Sequence, residues 1–291
     1  MIKKGIILAG GVGSRVGPST KAISKQLIPL ADKPIIFYSL SILMLLNIRN
    51  ILIIVKKEDL TSFKKLLGNG KNFGIKIEYA IQKTPRGLPD AFIIGKKFIK
   101  DNNVALILGD NFFHGQGLID FLNGTLKNFD YGANIFSYNV KNPSAYGVIE
   151  QTGNKIKIIE KPIKTKSKKA ITGLYFFDKN VSKLSSELKK SKRGELEIID
   201  LLKKYLKKNK LSISDLGRGS AWLDTGTSKD ILKAGNYVEI IEERQNQKIA
   251  CLEEIAYKKK WVSKKLIHSR IKYYGKSEYS NYLKEILNDW N

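Results

Sequence analysis

Cysteine and histidine are scarce in this chain of 291 residues, and their scarcity excludes several kinds of site. Cys251 is the only cysteine, so no disulfide can form within one chain, and a reducing compartment is the expected environment. The two histidines, His114 and His268, are too few for a histidine-rich metal centre. We therefore expect a cytoplasmic protein that has no disulfide.

Long apolar runs are also missing. The longest, Ile35 to Leu46, is too short to span a bilayer and is interrupted by Ser39 and Ser41, so it predicts a buried helix. Behind the positively charged N-terminus, the apolar segment ends in glycines after a few residues, which is not typical of a signal peptide. We expect no membrane partner.

Arginine is rare although the chain is strongly basic. Of the 52 basic residues only seven are arginines, which leaves 45 lysines dispersed along a chain whose net charge is +25. Nucleic-acid and other bidentate phosphate sites favour arginine, so a dispersed lysine excess indicates a solvated surface and no nucleic-acid partner. Such a surface would still attract small polyanions such as nucleoside triphosphates.

The first half of the chain alternates between two kinds of pattern. Short β-branched runs predict strands, and the segments between them predict helices, which implies βαβ units and a mostly parallel sheet. The predicted strands are 51–55, 75–79 and 104–108, and the predicted helices are 34–46, 58–67 and 88–99. Ligands of such sheets bind beyond the carboxyl ends of the strands.

From Gly132 onwards the strand patterns follow one another more closely. They fall at 133–140, 147–151, 155–160 and 171–177, which predicts that antiparallel strands extend the sheet. Helices are expected at 195–208 and 229–245, followed by a short helical region that ends in Trp290. We find no flexible linker, internal repeat or low-complexity tract, so the sequence does not demand separate domains.

A glycine-rich loop follows the first apolar run. Residues 6–8 read as a buried strand, and Ala9-Gly10-Gly11-Val12-Gly13-Ser14-Arg15 comes directly after it. Glycines let successive backbone N–H groups approach a phosphate, and Arg15 adds a positive charge. The spacing matches neither the dinucleotide nor the triphosphatase fingerprint, so a plain turn at the end of the strand is the alternative interpretation.

Two aspartates are candidate metal ligands. Asp110 follows the buried run 105–109, where a carboxylate is costly unless it meets a cation, and Asp224 lies in the segment 221–227. A Mg²⁺ ion takes one or two carboxylates together with phosphate oxygens. The alternative for Asp224 is a helix N-cap or a turn residue.

Three basic residues are candidate phosphate ligands. Lys25 lies close in sequence to the glycine loop, and Lys161 ends a predicted strand before a proline, although either could be a surface lysine. Arg193 is followed by a glycine that exposes it, which suits bidentate binding of a phosphate. The segment 193–197 also predicts the start of a helix with two acidic residues in its first turn.

Eight strings in register carry a resemblance over nearly the whole chain. In order they are LAGGVGSR, SKQLIPLADKP, LILGDNFFHG, YGVIE, IEKP, TGLYFFD, RGELEI and AWLDTGT. The chain thereby resembles the glucose-1-phosphate thymidylyltransferases of bacterial dTDP-sugar synthesis. This resemblance implies a Rossmann-like three-layer α/β fold with a mixed, mostly parallel central sheet. It also implies a core over 1–240, whose nucleotide part is about 1–130 and sugar part about 131–240, and a C-terminal helical region over 241–291.

The resemblance also implies roles for individual residues. Catalysis would involve Arg15, Lys25, Asp110, Lys161, Arg193 and Asp224, with Mg²⁺ held by Asp110 and Asp224. The nucleotide, dTTP, would be bound by Leu8, Gly10, Gly11, Gly13, Arg15, Lys25, Gln82, Gly87 and Asp110, with Gln82 and Gly87 at the edge of the thymine base. Glucose 1-phosphate would be bound by Gly147, Glu160, Lys161, Thr172, Tyr175 and Arg193. A homotetramer and feedback inhibition by a dTDP-sugar are implied as well.

Three positions depart from the family pattern. Val12 replaces a small polar residue, Gly17 stands where a bulkier side chain is common, and Arg86 stands where an aspartate is usual. Because Arg86 lies close to Gln82 and Gly87, a uridylyltransferase of the same fold is an alternative function. A catalytically silent nucleotide-sugar sensor is another, against which the retained charged residues argue.

Overall fold

The computed structural model of the protein describes residues 2–11, 13–153 and 155–289. The expectations for Val12 and for an end at Trp290 lie outside these residues. The described strands are β1 (Lys4–Ala9), β2 (Pro29–Leu30), β3 (Lys33–Pro34), β4 (Asn50–Val55), β5 (Lys76–Ile81), β6 (Val104–Leu108), β7 (Asn111–Gly115), β8 (Ala133–Asn139), β9 (Gly147–Thr152), β10 (Lys155–Glu160), β11 (Lys169–Phe177), β12 (Leu211–Asp215) and β13 (Ser220–Asp224).

The helices lie between and after these strands. They are α1 (Ser19–Ala22), α2 (Ile35–Leu45), α3 (Leu60–Leu67), α4 (Asp90–Ile94), α5 (Lys96–Ile99), α6 (Leu118–Lys127), α7 (Val181–Ser186), α8 (Ile198–Lys207), α9 (Ser228–Gln245), α10 (Leu252–Lys258), α11 (Lys264–Tyr274) and α12 (Glu278–Asp289). None of the helices in the described ranges is long and apolar enough to cross a membrane.

One mixed sheet organises the fold. Its strand order is β10-β9-β11-β6-β1-β4-β5, and β8 pairs with β11 and β12 on a further branch. Strands β6, β1, β4 and β5 are parallel, whereas β11, β9 and β10 join them in antiparallel pairs. The prediction of a parallel first half extended by antiparallel strands is therefore confirmed.

The sheet is covered by helices on both faces. Neighbouring side chains of one strand point to opposite faces, so Ile7 belongs to the core on the face covered by α2, α3, α6 and α10, while Ile6 belongs to the core on the face covered by α4, α5, α7 and α8. This arrangement is the three-layer α/β fold expected from the sequence. The predicted strands 51–55, 104–108 and 155–160 are confirmed with bounds that agree to within one residue.

Helix α2 shows why the longest apolar run is buried. It lies against the sheet and α10, and its residues from Ile35 to Met44 are all buried. Such an all-round apolar helix must be covered on every side. Its Ser39 hydroxyl lies 2.9 Å from the carbonyl oxygen of Leu108 and 3.0 Å from that of Asn111, so α2 anchors the turn that contains Asp110.

Two predicted helices were wrong in detail. The segment 88–99 forms two helices, α4 and α5, separated at Gly95, a residue whose helix propensity is low. The helix predicted from Glu195 begins only at Ile198, because the N–H of Leu196 donates to the carbonyl oxygen of Arg86 and holds this segment outside the helix. The acidic residue in the first turn is therefore Asp200.

A small second sheet was not predicted. Strands β7 and β13 pair in antiparallel register, which places Asp224 opposite Asn111. Beyond it, α10, α11 and α12 pack around a buried carboxylate, Glu253, which is 0% exposed and accepts hydrogen bonds from Arg270, Tyr274 and Tyr279. These three side chains fasten the C-terminal helices to one another.

Candidate functional site

The site begins where two neighbouring parallel strands end. Strands β1 and β6 pair up to Leu8 and Leu108, and the glycine loop and Asp110 follow at the same edge of the sheet. Between them lies a cavity of about 220 Å³. Its walls include Gly11, Gly13, Arg15, Lys25, Asp110 and Gly226. Leu8 contributes its carbonyl oxygen to a hydrogen bond with the N–H of Gly109, 3.0 Å away, which joins the two strand ends.

The two candidate metal ligands meet beside this cavity. Asp224 ends β13, and the next residue, Thr225, donates from its backbone N–H (3.1 Å) and its hydroxyl (2.9 Å) to the carbonyl oxygen of Asp110. Burial raises the pKa of Asp224, and the nearby negative charge of Asp110 raises that pKa further. The cap of α9 is Thr227, so Asp224 is not a helix N-cap.

Two cations face these carboxylates. Lys25 is only 5% exposed and forms an ion pair with Asp110, which excludes the alternative of a surface lysine. Arg15 also lines the cavity, and it lies close to Asp224: a Cβ built on Gly226 would come 3.1 Å from Nη2 of Arg15 and 3.3 Å from the carboxylate of Asp224. The arrangement places two positive and two negative side chains around one small space.

Asn111 was missed by the sequence reasoning, although it follows Asp110 directly. Its Oδ1 accepts from the N–H of Gly173 (3.1 Å) and from Nε1 of Trp222 (2.7 Å), and its Nδ2 donates to Oδ1 of Asp110 (3.0 Å). This buried amide therefore joins Asp110 to β11 and β13. No motif signalled it, because its partners are distant in sequence.

The residues predicted to contact the nucleobase lie at the carboxyl end of β5. Gln82 is 5% exposed and lies next to Gly10, where a Cβ would come within 2.5 Å of Oε1 of Gln82. Its Nε2 donates to Asp90 (2.9 Å), and Nη2 of Arg86 donates to the same carboxylate (2.6 Å). The charge of Arg86 is thus directed at Asp90, a partner that the sequence analysis did not identify.

The residues predicted to bind the sugar phosphate gather on β9, β10 and the segment before α8. Gly147 pairs with Glu160, and Nζ of Lys161 lies 4.0 Å from Oε1 of Glu160. Arg193 donates from Nε (3.1 Å) and Nη2 (2.8 Å) to Glu197, a second residue that was not predicted. Burial raises the pKa of Glu160, and Glu197 raises it further, whereas the charges of Lys161 and Arg193 lower it.

Strand β11 connects the sugar side with the aspartates. Thr172 precedes Gly173, whose N–H is bound by Asn111, and its own hydroxyl is buried and has no hydrogen-bond partner among the described residues. Burial raises the pKa of Tyr175, and the charge of Glu160 raises it further. Tyr146, which was not predicted, lies near Asp224, and its burial together with that carboxylate raises its pKa to about 12.

The base side and the sugar side are also joined directly. The N–H of Leu196 donates to the carbonyl oxygen of Arg86 at 2.7 Å, and a Cβ on Gly87 would come 2.0 Å from the carbonyl oxygen of Leu196. The base segment and the sugar segment are therefore in direct contact, whereas Tyr175, predicted to bind the sugar, pairs with Leu106 within the sheet and is only 3% exposed, so its side chain belongs to the buried core. Within the described ranges no group of three or more His, Cys, Asp or Glu side chains could hold a metal ion, so the aspartate pair would need further oxygen ligands.

Comparisons with known proteins identify relatives of this chain. The family model described as nucleotidyl transferase matches residues 4–240. A glucose-1-phosphate thymidylyltransferase of Neisseria gonorrhoeae is 48% identical over 286 residues, which cover 98% of this chain and 99% of the relative. One from Mycobacterium tuberculosis (strain CDC 1551 / Oshkosh) is 46% identical over 289 residues, with 98% and 99% coverage.

Solved structures share the fold. A Bacillus anthracis protein assigned as a glucose-1-phosphate thymidylyltransferase, in complex with sucrose, superposes with a TM-score of 0.74 and 35% identity over 80% of this chain and 94% of its own. A UDP-glucose pyrophosphorylase in complex with UDP-glucose gives a TM-score of 0.73 at 24% identity, over 83% and 100%. At that identity the second similarity shows the fold alone.

Proposed function

The chain belongs to the glucose-1-phosphate thymidylyltransferase family of nucleotidyl transferases, and from this premise we propose that it transfers a thymidylyl group from dTTP to glucose 1-phosphate. The products are dTDP-glucose and pyrophosphate. The observation that carries the proposal is the cavity at the carboxyl edge of the sheet, which Arg15, Lys25 and Asp110 line, with Asp224 close enough to these three residues for their charges to affect its pKa.

The reaction requires two polyanions to approach each other. A phosphate oxygen of glucose 1-phosphate attacks the α-phosphorus of dTTP, a new O–P bond forms, and the bond to pyrophosphate breaks. The attacking phosphate is already ionised near neutral pH, so no histidine base is needed. Catalysis then consists mainly of positioning and of neutralising charge, roles that we assign to Arg15 and Lys25 for the nucleotide and to Lys161 and Arg193 for the sugar phosphate.

The residues present fit a divalent cation. Burial raises the pKa of Asp224 and the negative charge of nearby Asp110 raises it further, a cost that a bound cation would relieve. Hard oxygen ligands of this kind suit Mg²⁺, which also takes oxygens from substrate phosphates. Nucleotidyl transferases generally use a divalent metal, and we propose Mg²⁺ held by these two aspartates. When bound, the ion would neutralise phosphate charge.

The sugar side offers hydrogen-bonding groups of the right kind. The buried hydroxyl of Thr172 has no partner among the described residues, and a buried hydroxyl without a partner is costly, so a sugar hydroxyl would satisfy it. Tyr175 has its pKa raised by burial and further by the charge of Glu160, so the two side chains lie near each other. Arg193 uses Nε and Nη2 on Glu197, and Nη1 has no hydrogen bond to a described residue, so it is available to a phosphate.

The proposal is tested by measuring pyrophosphate release over a matrix of dTTP, UTP and dCTP against glucose 1-phosphate and glucosamine 1-phosphate. We expect turnover with dTTP and glucose 1-phosphate, and its loss in EDTA. Asp110→Asn and Asp224→Asn should each lower turnover by about 10²-fold or more while the protein stays folded. Asp101→Asn, in the exposed turn after α5, is the matched control and should leave turnover unchanged.

Each alternative gives its own result in this matrix. A higher specificity constant for UTP than for dTTP would identify a uridylyltransferase. Nucleotide-sugar binding without pyrophosphate release would identify a silent sensor. Equal turnover with and without EDTA would contradict the proposed metal site.

The resemblance also predicts a homotetramer and feedback inhibition by a dTDP-sugar, the single cysteine predicts a cytoplasmic location, and we keep all three as proposals. Sedimentation at micromolar concentration tests the assembly. Inhibition of pyrophosphate release by added dTDP-rhamnose, measured with saturating substrates, tests the feedback. Cell fractionation tests the location.

A further inference from the structure

Asp90 is a buried carboxylate beside the predicted base site. It is the first residue of α4 and is 1% exposed. Its Oδ1 accepts from Nη2 of Arg86 at 2.6 Å, and its Oδ2 accepts from Nε2 of Gln82 at 2.9 Å. A buried carboxylate is stable only when it is paired and hydrogen-bonded, and here the guanidinium supplies the compensating charge.

This carboxylate dictates how the amide of Gln82 must be oriented. An ionised carboxylate only accepts hydrogen bonds, so the NH₂ group of the amide has to face it. The carbonyl oxygen Oε1 then faces the opposite way, toward Gly10, where a Cβ would come within 2.5 Å of it. No described residue donates a hydrogen bond to Oε1. The side chain therefore presents an acceptor that still needs a donor.

We propose that Asp90, compensated by Arg86, is a specificity-determining positioning residue that makes Gln82 select a nucleobase with an N–H donor at ring position 3. Thymine and uracil carry this donor, whereas the same nitrogen of cytosine is an acceptor. The inference rests on the proposed function, because it takes Gln82 as the residue that faces the base. It assigns a role to two residues, Asp90 and Arg86, that the sequence analysis did not give them.

Rejection of cytosine follows from the cost of turning the amide over. To donate to N3 of cytosine, Gln82 would have to rotate its NH₂ group toward the base. Its carbonyl oxygen would then face the carboxylate of Asp90, and two acceptors would meet without a hydrogen between them. The site can pair with cytosine only by leaving buried polar groups unsatisfied, which is the kind of penalty that gives strong discrimination.

Arg86 has a consistent place in this arrangement. Its guanidinium is paired with the carboxylate of Asp90, so it adds no uncompensated positive charge beside the base. The Arg86–Asp90 pair acts only through the orientation of the Gln82 amide, so it does not respond to the methyl group that distinguishes thymine from uracil. We therefore expect the pair to control discrimination between thymine and cytosine, and to leave the preference for dTTP over UTP unchanged.

The decisive variant is Asp90→Asn. An asparagine side chain has both an NH₂ donor and a carbonyl acceptor, so it can form a hydrogen bond with either orientation of the Gln82 amide. The measurement is kcat/KM for dTTP, UTP and dCTP with glucose 1-phosphate. We expect the dCTP to dTTP ratio to rise at least tenfold over the unsubstituted protein, and the UTP to dTTP ratio to stay within about twofold. Asp200→Asn makes the same chemical change in an exposed ion pair on α8 and should move neither ratio.

A dCTP to dTTP ratio within twofold of the unsubstituted protein, in folded Asp90→Asn, would overturn the inference. If that variant does not fold, Arg86→Lys and Arg86→Leu replace it. The lysine variant should keep the discrimination, and the leucine variant should lose at least threefold of it, since the carboxylate loses its cation. Equal discrimination in both variants would equally overturn the inference.

Direct binding separates this inference from the proposed function. The dissociation constants of dTTP and dCTP are measured by calorimetry on each protein. If the unsubstituted protein binds dTTP more tightly than dCTP but releases no pyrophosphate, the proposed reaction is wrong. The role of Asp90 is then still tested by how Asp90→Asn changes the ratio of the two dissociation constants. If it turns over dTTP normally and Asp90→Asn keeps the original ratio, only the role of Asp90 fails.

Discussion

Replacing Gly87 with alanine tests how closely the base side and the sugar side are joined. Gly87 has φ +101°, and a Cβ there would come 2.0 Å from the carbonyl oxygen of Leu196, whereas ordinary contact begins at 3.4 Å. The two segments must therefore separate by about 1.4 Å. This movement breaks the 2.7 Å hydrogen bond from the N–H of Leu196 to the carbonyl oxygen of Arg86.

The cost of Gly87→Ala can be worked out from these contacts. Backbone strain at positive φ contributes about 1–3 kcal/mol, and loss of the hydrogen bond contributes about 0.5–1.5 kcal/mol. We expect about 1.5–4.5 kcal/mol in total, which lowers the melting temperature by about 2.5–7 °C in a protein of this size. Separation of about 1 Å between substrate-binding groups also predicts a loss of about 10²-fold in kcat/KM.

Thermal melting and steady-state kinetics with both substrates check the prediction for Gly87→Ala. Gly68→Ala is the matched control, because Gly68 also has a positive φ, +57°, but a Cβ there would have nothing within 4 Å. The control should lose some stability and keep its kcat/KM. The reasoning is refuted if Gly87→Ala melts within 2 °C of the unsubstituted protein and keeps kcat/KM within about threefold.

Two further predictions concern charge. The pKa of Asp224 is raised in the folded chain, so its ionisation destabilises the fold as pH rises above its ordinary value of 3.8. In EDTA, the urea midpoint of Asp224→Asn should exceed that of the unsubstituted protein at pH 7, and the two should converge near pH 3.5; a constant difference contradicts this. Arg270→Met leaves the buried carboxylate of Glu253 without its cation and should lower the free energy of unfolding, measured by urea denaturation, by about 3–5 kcal/mol. Lys203→Met removes one partner of an exposed ion pair and should lower it by less than about 1 kcal/mol. A loss below 1 kcal/mol in Arg270→Met would contradict the assigned pairing.

Local patterns were sufficient for the regular elements. The β-branched runs at 51–55 and 104–108 and the apolar run from Ile35 are strands and a helix in the structure, because their side-chain periodicity is fixed by burial. The start of α8 was misjudged, since the acidic residues after Arg193 are typical of a first turn. A long-range backbone hydrogen bond to Arg86 holds that segment outside the helix and outweighs this weak local preference.

The candidate site likewise contains residues that the sequence indicated and residues that it did not. Its glycine loop, Asp110 and Lys25 are close to strand ends or to one another in sequence, so residue type and position indicated them. Asn111, Asp90 and Glu197 carried no signal of their own. Each of them forms hydrogen bonds with a predicted residue, and such a role can be recognised only from the three-dimensional positions of both side chains.

The sequence by itself determined most of the strands and helices and the mostly parallel sheet, because these depend on periodicity, turn chemistry and residue types, which are local. Its resemblance to a known family implied the three-layer arrangement. Only the tertiary structure decided that Asp224 lies beside Asp110, that Arg86 points at Asp90, and that the base and sugar segments share a hydrogen bond. These contacts depend on strand register and packing between distant segments, and no local propensity encodes them.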